Sequence, residues 1–202
     1  MRKRLIILSI ILCLSVLVAF PVSATGPEVD VYVTPKGTLI DVSIETSSAV
    51  GAIQGAISYD GDSIEYDTAA ANADISANNA VASSFKNSGG ITRVALVGDP
   101  SSGTANNWAN ITYSADENTP AEFTLNGFKA FNVSGTVTDA SFSVVVLGDA
   151  TGDYFVDVKD YVKLKQVLTG VGFTVNAKNL DLDKSGTRTD YDMQRLRENM
   201  GF

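Results

Sequence analysis

Between Gly148 and Tyr161 the chain reads GDATGDYFVDVKDY, and four aspartates, Asp149, Asp153, Asp157 and Asp160, fall within twelve positions that hold a single lysine. So dense a run of carboxylates repels itself unless a cation is shared, and alternating oxygen ligands are what a hard divalent ion takes. A calcium ion accepts roughly six to eight oxygens at about 2.3 to 2.6 Å, so a loop must wrap it and the first turn of a following helix must supply the last carboxylate. Positions one, three, five and twelve of this loop are Asp149, Thr151, Asp153 and Asp160. Phe155, at seven, would give its backbone carbonyl, and Asp157, at nine, would bind directly or through water.

The segment occurs twice. With an offset of 32 residues, Asp149 falls on Asp181, Asp160 on Asp192, Leu164 on Leu196 and Lys165 on Arg197. The second loop offers Asp181, Asp183, Ser185, the Thr187 carbonyl and Asp192, with Thr189 at the ninth place. Two in-register copies therefore predict two calcium sites. They depart from the ideal pattern in three ways. Tyr154 stands at the sixth position of the first loop, where glycine eases the turn; Arg188 stands at the eighth of the second, where an apolar residue packs; and both loops end in Asp, not Glu.

Such loops need helices behind them and a body to carry them. After Gly148 the pattern is helical, with Val158, Tyr161, Val162, Leu164, Val167 and Leu168 spaced to cover a helix face. From Pro27 to Val146 the period is two. Val29, Val31 and Val33 alternate with Asp30, Tyr32 and Thr34; Ile40, Val42 and Ile44 with Asp41, Ser43 and Glu45; Phe142, Val144 and Val146 with small residues. Turn signals at Pro35-Lys36-Gly37, Asp60-Gly61-Asp62, Ser88-Gly89-Gly90, Gly98-Asp99-Pro100 and Asn126-Gly127 separate short strands, as in a sandwich. The fold class expected is mostly β with a small α C-terminal module.

At the start, Arg2-Lys3-Arg4, an apolar run from Leu5 to Phe20 and the small residues of Val22-Ser23-Ala24 predict a secretory signal over 1–24, and hence a secreted, extracellular protein with no membrane attachment after signal removal. The division expected is signal 1–24, β-sandwich 25–147 and calcium module 148–202. Cys13, the one cysteine, leaves with the signal, so no disulfide can brace the small module. The chain has no histidine, which excludes Ser-His-Asp and Cys-His catalysis and the usual zinc sites. Its net charge is −8, with 14 acids against 4 bases over 25–147, so nucleic acid is not an expected partner.

The paired segments DATGDYFVDVKDYVKLKQVL and DLDKSGTRTDYDMQRLRENM resemble a type I dockerin, the calcium-dependent docking module of cellulosomes. The resemblance covers about 55 residues. It implies that each half is a calcium loop with its exit helix, that the module binds a cohesin-bearing scaffold protein, and that no catalytic residue is involved. Carried over by position, the partner-reading residues are Val158, Lys159, Lys165 and Gln166 in the first copy, and Asp190, Tyr191, Arg197 and Glu198 in the second. Val50 to Asp60, Ser63 to Tyr66, Ile91 to Val97, Trp108 to Tyr113 and Glu122 to Leu125 resemble the strands of a cohesin, a jelly-roll β-sandwich. Together they imply a small adaptor scaffoldin that also receives dockerin-bearing enzymes. The acidic sandwich would attract a basic helix face, and the module's own Lys159, Lys163, Lys165, Arg195 and Arg197 allow self-association.

Two other readings stay open. A carbohydrate-binding module would bind polysaccharide on exposed aromatics, for which Trp108, Tyr32, Tyr59, Tyr66 and Tyr113 are the candidates. A small glycosidase would need a carboxylate pair, from among Glu65, Glu117 and Glu122.

Overall fold

A computed structural model describes residues 26–71, 82–98, 106–171 and 176–201. The expected signal with Cys13, and the turn at Asp99-Pro100, lie outside them. Among the described residues, ten strands and two helices form: β1 (Glu28–Lys36), β2 (Leu39–Thr46), β3 (Ala52–Tyr59), β4 (Ile64–Ala71), β5 (Ala82–Ser88), β6 (Ile91–Val97), β7 (Asn106–Ala115), β8 (Phe123–Phe131), β9 (Val137–Thr138), β10 (Ser141–Val146), α1 (Val158–Leu168) and α2 (Asp190–Asn199), with a 3-10 turn at Ala177–Leu180. The chain is mostly β with a small α C-terminal region, as its periodicity predicts.

Two five-stranded sheets face each other, one ordered β10-β1-β2-β7-β4 and the other β5-β6-β3-β8-β9. Alternation decides which side of each strand is buried. Val29, Val31 and Val33 of β1, Ile40, Val42 and Ile44 of β2, Ile53 and Ile57 of β3, and Val94 and Leu96 of β6 all enter the shared core. Trp108 and Tyr113 fill its centre, and their polar ends are satisfied there: Trp108 Nε1 donates to Thr46 Oγ1 at 3.1 Å and the Tyr113 hydroxyl to Thr92 Oγ1 at 3.0 Å. Every ladder is antiparallel except that of the first and last strands, where Val31 pairs with Val144 in parallel.

Two local expectations are corrected. Asn126-Gly127 is not a turn but a bulge inside β8: the register with β3 shifts between Gln54 and Ala56, and Gly127 takes φ 61°. The extra residue leaves the Phe128 ring against Gly55, where any Cβ would stand 2.3 Å from it. An Asn-Gly pair supplies the left-handed backbone for a bulge as readily as for a turn. On α1, Val158 and Val162 point outward, 62% and 50% exposed, and only Leu164 among the apolar residues is fully buried. A helix that rests on one small neighbour covers a narrower stripe than one packed into a large core.

A second hydrophobic cluster, Ala150, Leu164, Leu180, Leu182 and Leu196, lies under the two helices. It meets the first at Val156, which packs against both. A backbone bond ties the regions together, Ala121 N–H donating to the Tyr154 carbonyl at 2.8 Å, and the C-terminal region closes on its own start where Gly148 N–H donates to the Asn179 carbonyl at 2.8 Å. Val145, on the face of β10 away from the sandwich core, is fully buried, and β10 lies against the 3-10 turn.

Candidate metal centre

Each acidic loop is held by its own aspartates. In the first, Asp160 in the opening turn of α1 accepts at Oδ1 from the Ala150 and Thr151 amides (2.9 and 3.0 Å) and from Thr151 Oγ1 (3.1 Å), and at Oδ2 from the Asp157 amide (2.7 Å). Asp149 accepts from Gly152 and Asp153 at Oδ1 (2.6 and 3.2 Å) and from Tyr154 at Oδ2 (3.0 Å). The second loop repeats this. Asp192 accepts from the Leu182, Asp183 and Thr189 amides, and Asp181 from Ser185 and Gly186. Asp160 and Asp192 are fully buried and Asp149 is 1% exposed.

Left-handed backbone occurs at the fourth and sixth position of both loops: Gly152 (φ 81°) and Tyr154 (φ 64°), then Lys184 (φ 58°) and Gly186 (φ 83°). These positions curl the chain so that alternate side chains converge. Each loop meets the need with one glycine and one residue that carries strain, in opposite order.

The result is two groups, Asp149 with Asp153 and Asp160, and Asp181 with Asp183 and Asp192, each with one oxygen per residue within 4.8 Å of the others. Two carboxylates about 4 Å apart repel by about 4 kcal/mol at an effective dielectric of about 20, and amide donors orient such charges without neutralising them. Burial pushes the Asp160 carboxyl above the ordinary aspartate range, against the hydrogen bonds from Asp157 and Thr151 that pull it down. Burial likewise raises Asp181, whereas the Ser185 hydrogen bond lowers Asp183. An all-oxygen donor set with buried, opposed charges fits a hard divalent cation, and both clusters can chelate one.

Thr151 Oγ1 lies within the first cluster, 3.5 Å from Asp149 Oδ1. Ser185 Oγ donates to the Thr187 carbonyl at 3.0 Å, which sets both beside the second. Phe155 follows Asp153, whose Oδ1 accepts its amide at 3.2 Å. Asp157 stands apart from the three-acid group: it is the N-cap of α1, accepting from Lys159 N–H at 2.6 Å and closing a capping box with Asp160. Thr189 caps α2 in the same way. The twelfth-position acid thus serves the helix and the loop together.

All eight expected partner-reading residues, Val158, Lys159, Lys165, Gln166, Asp190, Tyr191, Arg197 and Glu198, are exposed. Lys159 turns back on its own loop, 3.1 Å from Asp157 and 3.8 Å from Asp153. Asp190, Arg197 and Glu198 border a hollow of about 440 Å³ between the helices, together with Tyr161, Met193 and Gln194, which the positional transfer did not include. Tyr161 carried a usable signal, being an aromatic one turn from the outward Val158.

Of the aromatics named for the sugar reading, Trp108 and Tyr113 are closed to a ligand, whereas Tyr59 and Tyr66 line a surface hollow with Glu65. Trp108 and Tyr113 are 2% and 0% exposed. Tyr59 and Tyr66 pack edge-on against Tyr113, with ring centroids 4.9 and 5.9 Å away, and the Tyr32 ring lies under Lys184. Glu65, Glu117 and Glu122 are all exposed; Glu65 lines one hollow of the surface and Glu117 another.

Sequence reasoning missed two lysines. Lys178 Nζ bonds Asp30 at 2.7 Å and Glu28 at 3.0 Å, and Lys184 pairs with Glu45. Acid–base attraction was expected, but between the sandwich and a helix face of a partner; here the acidic outer face of β1 and β2 receives lysines from the second loop and the turn before it.

No protein-family model matches the chain, and no curated protein matches it. Among solved structures, it is similar to a non-cellulosomal cohesin of the archaeon Archaeoglobus fulgidus (16% identity, 60% of this chain and 91% of that one, TM-score 0.45). It is similar to the sixth cohesin of the Acetivibrio cellulolyticus scaffoldin B, solved with a dockerin (17% identity, 60% and 98%, TM-score 0.47). It is also similar to a chain of a type I cohesin–dockerin complex of Clostridium thermocellum (13% identity, 60% and 99%, TM-score 0.48).

Proposed function

We propose that the chain is a secreted, non-catalytic adaptor of a polysaccharide-degrading complex, divided at residues 147 and 148. Residues 148–202 form a dockerin-type module, shaped by two calcium ions, that plugs into a cohesin-bearing scaffold protein. Residues 25–147 form a cohesin-like sandwich that presents a sheet to a dockerin-bearing partner. The observation that carries this reading is the pair of in-register oxygen cages, each at the head of a helix whose outer face stays exposed.

Calcium would be held by Asp149, Thr151, Asp153, the Phe155 carbonyl and Asp160, with Asp157 reaching it through water, and by Asp181, Asp183, Ser185, the Thr187 carbonyl and Asp192. The ion supplies charge neutralisation and a fixed loop shape. The chain's own residues do the rest: Asp157 and Thr189 start the helices, Leu164 and Leu196 seat them, and Lys165, Gln166, Arg197 and Glu198 stand outward where a partner can reach them.

The test is surface capture of purified cohesins by the immobilised full chain, with calcium and with EGTA. Binding in calcium, lost in EGTA, and weakened about tenfold or more by combined Lys165→Ala and Arg197→Ala is the expected outcome. Binding indifferent to chelation, or to both substitutions, would refute the assigned face.

A further inference from the structure

The second loop has a lysine at its fourth position where the first has glycine, and an ammonium inside a cation-binding loop opposes the cation. The fold takes that ammonium elsewhere. Lys184 Nζ sits 4.1 Å from the centroid of the Tyr32 ring, pairs with the Glu45 carboxylate and lies 3.3 Å from Ser43 Oγ, which itself donates to Glu45 Oε1 at 2.9 Å. The Lys184 and Glu45 side chains retain 32% and 24% of their exposure, so the pair is partly desolvated. Lys178, three residues before Asp181, bonds Asp30, whose carboxylate also accepts from the Tyr32 and Ser143 hydroxyls and whose side chain is 12% exposed. Strand alternation builds the receiving surface: Asp30 and Tyr32 of β1 and Ser43 and Glu45 of β2 all project from the side opposite the valines and isoleucines of the core.

We propose that the outer face of β1 and β2 is a docking site for the second acidic loop of the same chain, and that Glu45, by drawing the Lys184 ammonium off that loop, raises the loop's affinity for its cation. The proposal rests on the calcium reading. It is specific to one site, because the first loop carries glycine where Lys184 stands. The sandwich is then more than cargo beside the module: it tunes one of the module's two metal sites, and calcium in that site in turn strengthens the docking, since the coupling is reciprocal.

The test uses the full chain labelled with nitrogen-15 in glycine and titrated with calcium chloride. Gly152 N–H donates to Asp149 and Gly186 N–H to Asp181, so each amide reports its own loop. Glu45→Gln is expected to weaken the Gly186 site about three- to fivefold, as loss of a partly exposed ion pair implies, and to leave the Gly152 site unchanged. Adding Lys184→Met to Glu45→Gln should return the Gly186 site to the wild-type affinity or above it, because the opposing charge is gone. Equal affinities in wild type and Glu45→Gln, a parallel loss at both glycines, or a double variant as weak as the single one would each overturn the proposal. A wild-type chain in which neither glycine responds to calcium would instead overturn the calcium reading beneath it.

Discussion

Chelation should melt the C-terminal region while the sandwich stays folded. Its core is Ala150, Leu164, Leu180, Leu182 and Leu196 with partly buried neighbours, little for a region of this length and braced by no disulfide. Buried Asp149, Asp160 and Asp192 add charges that oppose folding unless a cation is present. A ligand at about 100 times its dissociation constant stabilises the folded state by about 2.7 kcal/mol per site, so two sites contribute about 5 kcal/mol. At about 4 to 8 °C per kcal/mol for a small domain, EGTA should lower the helical transition by about 20 °C or more. The assay is a thermal scan of circular dichroism at 222 nm with tryptophan fluorescence recorded alongside. Trp108, the one tryptophan, is buried in the sandwich and serves as the internal control. Superimposable 222 nm transitions in calcium and in EGTA would refute the reasoning, because the repulsion within the two clusters would then be relieved by something other than a metal.

Further outcomes follow from single positions. Tyr154→Gly should raise the melting of the calcium-loaded C-terminal region by a few degrees, through release of about 1 kcal/mol of left-handed strain, whereas Gly186→Ala should lower it by a similar amount. Tyr113→Phe should cost about 1 kcal/mol in urea unfolding of the sandwich, read by Trp108 fluorescence, because the buried Thr92 oxygen loses the hydroxyl that donates to it and keeps only its own bond to Asn87. Burial alone would lower the Lys178 ammonium, but hydrogen bonds and charge from Asp30 and Glu28 hold it above the ordinary lysine range. Its folded value exceeds its unfolded one, so its contribution is complete below about pH 10.4 and fades as pH rises through the folded value. Lys178→Arg, which stays charged there, should retain more stability than wild type in melts above about pH 11, and coincident curves would count against the Lys178 contact.

Much was legible because it is local. Period-two runs such as Val29-Val31-Val33 and Ile40-Val42-Ile44 place their side chains by geometry alone, and the 32-residue echo of Asp149 and Asp160 in Asp181 and Asp192 needs no fold to be seen. The bulge at Asn126-Gly127 was not, since the same dipeptide suits a turn, and only the pairing of β8 with β3 decides between them. Exposure of Val158 and Val162 likewise depends on how small a neighbour α1 has to rest upon.

The residues by themselves determined the chemistry: oxygen ligands at alternate positions, no histidine, and two strand faces of opposite character. Only the tertiary structure decided what those ligands lie against. The parallel pairing of β1 with β10 brings the end of the sandwich back beside its beginning, and with it carries the following loops onto the acidic face of β1 and β2. Contacts between residues some 140 positions apart, such as Glu45 with Lys184, leave no periodic trace in a sequence, because each partner is chosen by the path of the whole chain and not by its neighbours.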